Sequence, residues 1–206
     1  MPDCDCSIEI ESRQQRRVLI TLLAINAAMF LVEVVAGVLA ESTGLIADSL
    51  DMLADAVVYG IGLYAVGRAA SAKIGAAFAS GYFQMALSLI VAVDVGRRAL
   101  FGSDPEPGLI VIVGCVALAA NALCLALIAK HRDGGVHMRA SWIFSRNDVL
   151  ANVGVILSGW LVHETGARWP DLIVGIAIAC LVFRGGLAII ADARNERSAS
   201  HIRSQH

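Results

Sequence analysis

Six long apolar segments, separated by short polar breaks, constrain this chain more than any other feature of its sequence. They cover residues 18–40, 45–66, 74–95, 109–129, 140–162 and 172–190. A helix needs about 20 mainly apolar residues to cross a bilayer, where backbone groups must satisfy their own hydrogen bonds. Uninterrupted runs of Ala, Leu, Ile and Val favour helices over barrel strands. The sequence therefore predicts an all-α membrane protein with six transmembrane helices.

Composition supports a membrane protein and excludes two other classes. Apolar residues make up 57% of the 206-residue chain and charged residues only 17%. Soluble domains average about 45–50% apolar residues and about 25% charged residues, so a soluble enzyme is not expected. The 16 Lys and Arg are scattered along a chain of net charge −2. Without a basic patch, no nucleic acid is expected as a partner.

The distribution of Lys and Arg predicts the orientation of the helices. With the N-terminus in the cytoplasm, twelve of the 16 basic residues fall on the cytoplasmic side and three on the other. Positive residues accumulate in short cytoplasmic loops, so we expect both termini inside. The expected organisation is a cytosolic tail at 1–17, a transmembrane domain at 18–193 and a short cytosolic tail at 194–206.

Three aspartates interrupt the second apolar segment. Asp48, Asp51 and Asp55 fall within about 60° of arc on one helix face. A charged side chain at the bilayer centre costs about 2.5–3.5 kcal/mol on insertion scales, and three like charges on one face need a cation or protons between them. The row predicts a cation site. The alternative is that protonated acids only form hydrogen bonds to neighbouring helices.

The fifth segment supplies the expected partner of this row. Counted along oppositely directed helices, Asp148 reaches a depth similar to that of Asp51 and Asp55. Asn152 lies one turn beyond Asp148 on the same face and offers an amide oxygen. Oxygen ligands from two helices are typical of a divalent-cation site.

Other polar residues in the apolar segments are expected to join helices rather than bind ions, because amides and protonated acids form hydrogen bonds across helices. These residues are Asn26, Glu33, Gln84 and Asn121. Asp94 is expected to pair with Arg97 and Arg98 at the outer end of the third segment.

The polar ends and loops contain further metal-binding residue types. Two thiolates, from Cys4 and Cys6, can hold a soft metal ion but leave its site incomplete, and a disordered acidic tail is the alternative. The histidines of the loops and tail match no compact zinc motif and are expected to be solvated. They are His131, His137, His201 and His206.

At its polar membrane positions the sequence resembles the cation diffusion facilitator family of metal efflux transporters. The matching features are Asn26 with Glu33 and the segments 44–55, 147–152 and 170–175. The resemblance covers about residues 18–193. The run in the second segment is its most specific part.

The resemblance implies a metal site and an exchange mechanism. In that family a His or Asp followed four residues later by Asp, in span two and again in span five, holds an ion that is exchanged for protons. The matching residues here are Asp51, Asp55 and Asp148, and the remaining position falls on Phe144, which cannot coordinate a metal. Larger members carry a cytosolic metal-binding domain after span six, so regulation through such a domain is not expected within this chain.

Together these observations predict a divalent transition-metal efflux transporter of the bacterial inner membrane, not an enzyme. Asp51, Asp55 and Asp148, with Asn152 and Asp48, are expected to hold Zn, Co, Cd, Fe or Mn as the transported substrate. Protons are the expected counter-substrate, no cofactor is expected to be bound permanently, and small-residue helix faces predict a homodimer. The alternative is a membrane protein that senses metal or serves as a scaffold without transporting.

We predict that Phe144→His shifts selectivity toward zinc relative to manganese. Phe144 lies one turn before Asp148, and an imidazole there adds a nitrogen ligand well suited to zinc. Competition binding on purified wild type and variant measures the ratio of the two binding constants. An unchanged ratio in a folded variant would show that residue 144 does not face the ion.

Overall fold

The structure, a computed structural model, describes residues 3–65, 70–129 and 136–203. These residues form six α-helices, with no strand among them. The helices are α1 (Asp3–Leu39), α2 (Thr43–Ala65), α3 (Ala70–Phe101), α4 (Pro107–Ala129), α5 (Val136–Thr165) and α6 (Trp169–Arg203). Each of the six apolar segments coincides with one helix, so the all-α prediction is confirmed. Both α1 and α6 continue beyond the predicted spans, to Asp3 and Arg203.

Four of the described helices are long and apolar enough to cross a membrane. The qualifying stretches are Arg16–Leu39, Ile74–Phe101, Pro107–Ala129 and Trp169–Ser198. Their large apolar side chains are exposed on the outside of the bundle, as lipid contact requires. Examples are Leu31, Val35, Ile112, Val116, Ile173 and Leu181.

Helices α1, α2, α5 and α4 form a ring in which each packs against the next. Helices α3 and α6 pack on each other and on α2, and α6 also contacts α5. Helix α2 is therefore enclosed by α1, α3, α5 and α6. Of the α2 side chains that the structure describes, Tyr64 alone is exposed. This position keeps the aspartates of α2 away from lipid.

A tight turn joins α1 to α2. Glu41 adopts a φ of 47°, in the left-handed region that few L-residues occupy. The guanidinium of Arg98, from α3, donates a hydrogen bond to the Glu41 carbonyl oxygen. Arg98 also donates to Asp94 at 2.6 Å, and Arg97 does so at 2.8 Å, which confirms the expected pairing. The turn is thus held in place by the C-terminal end of α3.

The first turn of α2 is capped by a residue of α6. Asp171 is fully buried and accepts hydrogen bonds from the backbone N–H of Thr43 at 2.6 Å and of Gly44 at 3.0 Å. It also accepts one from the Ser42 hydroxyl at 2.6 Å, while Ser42 Oγ accepts from Leu45 N at 3.1 Å. These bonds satisfy donors that a helix leaves unpaired at its N-terminus, where a negative charge is also favoured. Asp171 therefore fixes where α2 begins.

Helices α3 and α6 come into close backbone contact at a pair of glycines. A Cβ atom built on Gly81 would lie 2.8 Å from the carbonyl oxygen of Gly186, and one built on Gly186 would lie 2.7 Å from that of Gly81. Small residues allow such backbone contact between membrane helices. The crossing leaves no room for a side chain on either helix.

We predict that Gly81→Ala lowers the free energy of unfolding by about 1–3 kcal/mol, because the added methyl group forces the two helices apart. Thermal unfolding in detergent measures the loss. The control is Gly96→Ala, since a Cβ there meets nothing within 4 Å. It should change stability by no more than about 0.5 kcal/mol. Equal stability of the two variants would contradict the close crossing.

We also predict that Asp171→Asn destabilises the protein by about 1–3 kcal/mol, because an amide presents N–H groups where the carboxylate accepts three hydrogen bonds. The same unfolding measurement applies. Asp192→Asn is the matched control, since Asp192 lies on α6 but is exposed. If both variants unfold at the wild-type temperature, Asp171 is not needed to anchor α2.

Candidate metal site in the helix bundle

The acidic row of α2 points into the bundle. Asp48 is 1% exposed and Asp55 is 5% exposed, whereas Asp51 is partly exposed. One turn beyond Asp55, the Tyr59 hydroxyl donates a hydrogen bond to Asp55 Oδ2 at 3.4 Å. Tyr59 was not among the residues singled out from the sequence. Its spacing of four residues from Asp55, on the same helix face, is the signal that identifies it.

Asp148 of α5 meets Asp55 of α2 inside the bundle. Asp148 is 8% exposed, and the two carboxyl groups lie within hydrogen-bonding reach of each other. Two carboxyl groups can share a hydrogen bond only when one of them carries a proton. A proton or a cation between the oxygens would stabilise such a pair.

Asn152 presents an oxygen next to this pair. Its side-chain Nδ2 donates a hydrogen bond to the Asp148 carbonyl oxygen at 2.8 Å. This bond fixes the amide, and its Oδ1 is buried without a hydrogen-bond partner among the described residues. An amide oxygen in this situation can serve as a metal ligand.

A second acidic contact lies nearer the end of the bundle where α1 joins α2. Glu33 of α1 is completely buried and interacts electrostatically with Asp48 and Asp51. Within the described part of the chain, neither Glu33 carboxylate oxygen has a hydrogen-bond partner. The expected hydrogen bond between helices is thus not found at Glu33. Asp48 Oδ2 is likewise buried without a partner.

The structure places the four expected aspartates in one acidic row between α2 and α5. Among the described residues, no three side chains of His, Cys, Asp or Glu gather closely enough to hold one metal ion. The close pair is Asp55 with Asp148, and Asp48 and Asp51 are within electrostatic range of both Asp148 and Glu33. A metal at the pair would therefore need ligands other than a third carboxylate.

Several residues named from the sequence lie outside the side chains that the structure describes. They include Phe144, which belongs to α5, and Cys4 and Cys6, which belong to α1. The same holds for the loop and tail histidines. They are His131, His137, His201 and His206.

The chain matches the family model of the cation efflux transmembrane domain over residues 19–196. It is 28% identical over 200 residues to the zinc transporter ZitB of Pectobacterium atrosepticum, a match covering 90% of this chain and 62% of the relative. It is 24% identical to the metal cation efflux system protein CzcD of Cupriavidus metallidurans, covering 78% of this chain and 54% of the relative.

A further relative is named for both metal and proton. The chain is 24% identical to the cadmium, cobalt and zinc/H(+)-K(+) antiporter of Bacillus subtilis, over 89% of this chain and 63% of that protein. The chain thus spans less than two thirds of the length of these relatives. Because the family match covers most of the chain and four of its helices can cross a membrane, this protein is an integral membrane protein of the cation efflux family.

Proposed function

We propose that this protein exports divalent transition-metal cations from the cytoplasm in exchange for protons. The observation that carries the proposal is the buried contact between Asp55 and Asp148, carboxyl groups contributed by two different helices. Relatives named as zinc transporters and as a cadmium, cobalt and zinc antiporter support the substrate class. The proposed substrates are Zn, Co, Cd, Fe and Mn, with no permanently bound cofactor and no enzymatic activity.

The proposed site uses the residues expected from the sequence. Asp55 and Asp148 contact the ion, and Asn152 contributes its free amide oxygen. Asp51 and Asp48 continue the acidic row toward Glu33, along the path that the ion takes from the pair. Carboxylate and amide oxygens suit divalent cations without selecting one transition metal by affinity order alone.

Exchange follows from competition for the same oxygens. A cation that binds between Asp55 and Asp148 must displace the proton that the two carboxyl groups otherwise share. Rocking of the helices, which exposes the pair first to the cytoplasm and then to the outside, converts this competition into antiport. A proton gradient then drives net metal export.

We propose six membrane crossings, with both termini in the cytoplasm of a bacterial inner membrane. Helix α2 is shielded by its neighbours, which explains how a helix with three aspartates can be accommodated in a bilayer. Helix α5 has exposed apolar residues suited to lipid contact, including Leu150, Leu157 and Trp160. A homodimer through small-residue faces is part of the proposal, and cross-linking in native membranes tests it.

We predict that Asp55→Asn and Asp148→Asn each abolish metal transport while membrane insertion is retained, and that Asp51→Asn does the same. Neutralising a buried acid lowers rather than raises the cost of insertion. Zinc uptake into proteoliposomes, with a pH-sensitive dye to follow proton movement, measures both sides of the exchange. Asp192→Asn, at an exposed position on α6, is the control and should transport normally.

Three outcomes would contradict the proposal in whole or in part. Wild-type rates in all three variants would remove the carboxylates from the mechanism. Absence of transport in the wild type, under conditions where it binds zinc, would favour the alternative of a membrane protein that senses metal. Metal movement without proton movement would overturn the exchange while leaving the site in place.

A further inference from the structure

The interior of the α1, α2, α4 and α5 ring is layered. One apolar layer contains Leu22 of α1, Tyr59 of α2 and Cys124 of α4. Another contains Met29 of α1, Met52 of α2 and Ala117 of α4. On each helix the two layers are about two turns apart, which leaves room for one residue per helix between them.

The residues between these layers are polar on all three helices. They are Asn26 on α1, Asp55 on α2 and Asn121 on α4. Each lies about one turn from both apolar layers on the same helix face. Asp55 is also within electrostatic range of the Cys124 thiol, one turn from Asn121. The three polar residues therefore occupy one level of the bundle.

Helix α5 adds Asp148 to the same level. At one point of contact between α4 and α5, a Cβ on Gly114 would lie 3.0 Å from Ile156 and 3.5 Å from Val155. Asn121 lies about two turns after Gly114 on α4, and Asp148 lies about two turns before Val155 on α5. Because the two helices are antiparallel, Asn121 and Asp148 are at the same level. Since Asp148 contacts Asp55, all four helices contribute a polar residue to this layer.

The amides of this layer have buried atoms without partners. Asn26 is 2% exposed, and its Nδ2 donates to the Leu22 carbonyl oxygen at 2.9 Å, which leaves Oδ1 unpaired. Asn152 has the same arrangement one turn from Asp148. Asn121 is fully buried, and both of its amide atoms lack a partner within the described residues. Buried polar atoms are seldom left unpaired, so these call for an explanation.

We propose that the amide oxygens of Asn26 and Asn121 are ligands of the transported cation, bound together with Asp55, Asp148 and Asn152. The inference rests on the proposed function and adds helices α1 and α4 to its site. It also accounts for the lack of a third carboxylate at the pair, since amides supply the remaining oxygens.

The charge balance of the layer requires no further acid. Two carboxylates neutralise one divalent cation, so its other ligands can be neutral groups. Neutral amide oxygens complete the coordination shell without adding charge. An all-oxygen shell suits Mn²⁺ better than it suits a metal that prefers thiolate ligands.

The test is Mn²⁺ and Zn²⁺ binding by calorimetry to the purified full chain in detergent. Asn26→Leu and Asn121→Leu should each raise the Kd for Mn²⁺ by about 10- to 100-fold, as loss of a metal-site partner typically does. Gln84→Leu is the matched control. Gln84 is a buried amide with an unpaired Oε1, but it lies on α3 against Gly186 of α6. Its Kd should equal that of the wild type.

Asn121→Asp keeps the shape of the side chain, so it tests whether residue 121 contacts the ion if the leucine variants do not fold. A third carboxylate at the ion should bind Mn²⁺ more tightly. Unchanged or weaker binding by this folded variant would overturn the proposal, as would wild-type Kd values in folded leucine variants. If Asp148→Asn weakens Mn²⁺ binding while Asn26→Leu and Asn121→Leu do not, only this inference fails. If Asp148→Asn also binds normally, the proposed function fails with it.

Discussion

The enclosure of α2 is the constraint on which the rest of the structure depends. A helix that carries Asp48, Asp51 and Asp55 cannot face lipid without a large cost. It is surrounded instead by α1, α3, α5 and α6, whose outer faces carry the apolar residues that lipid requires. The same enclosure brings Asp55 against Asp148. The same packing of helices thus protects the acids from lipid and assembles a candidate ion site.

The position of the acids along the bundle axis depends on the end of the bundle where α1 joins α2. Asp171 of α6 caps the first turn of α2, and Arg98 of α3 holds the Glu41 carbonyl of the preceding turn. Because a helix is stiff, a fixed first turn also fixes the depth of each later residue. Two helices outside the ring therefore contribute to the position of Asp55 along the bundle axis.

The layered interior gives the proposed exchange a physical basis. Apolar layers at Met29 with Met52 and at Leu22 with Tyr59 flank a level of carboxyl and amide groups. Ions and protons in such a level are attracted by its oxygens and isolated from water by the layers. A divalent cation balanced by two carboxylates leaves no net charge there. Glu33 and Asp48, beyond the methionine layer, provide the next acidic contact along the bundle.

The sequence by itself determined the six helices, the acidic row and the pairing of Asp94 with Arg97 and Arg98, because hydropathy and helical spacing are local properties. It also indicated Asp148 and Asn152 as partners of that row. It could not reveal Asp171 as the cap of α2, since the two are joined only by contacts between α6 and the α1–α2 turn. Nor could it place Asn26 and Asn121 level with Asp55. The depth of a residue along the bundle, and the direction in which its side chain points, depend on how the helices pack. That packing is decided by tertiary contacts between distant segments.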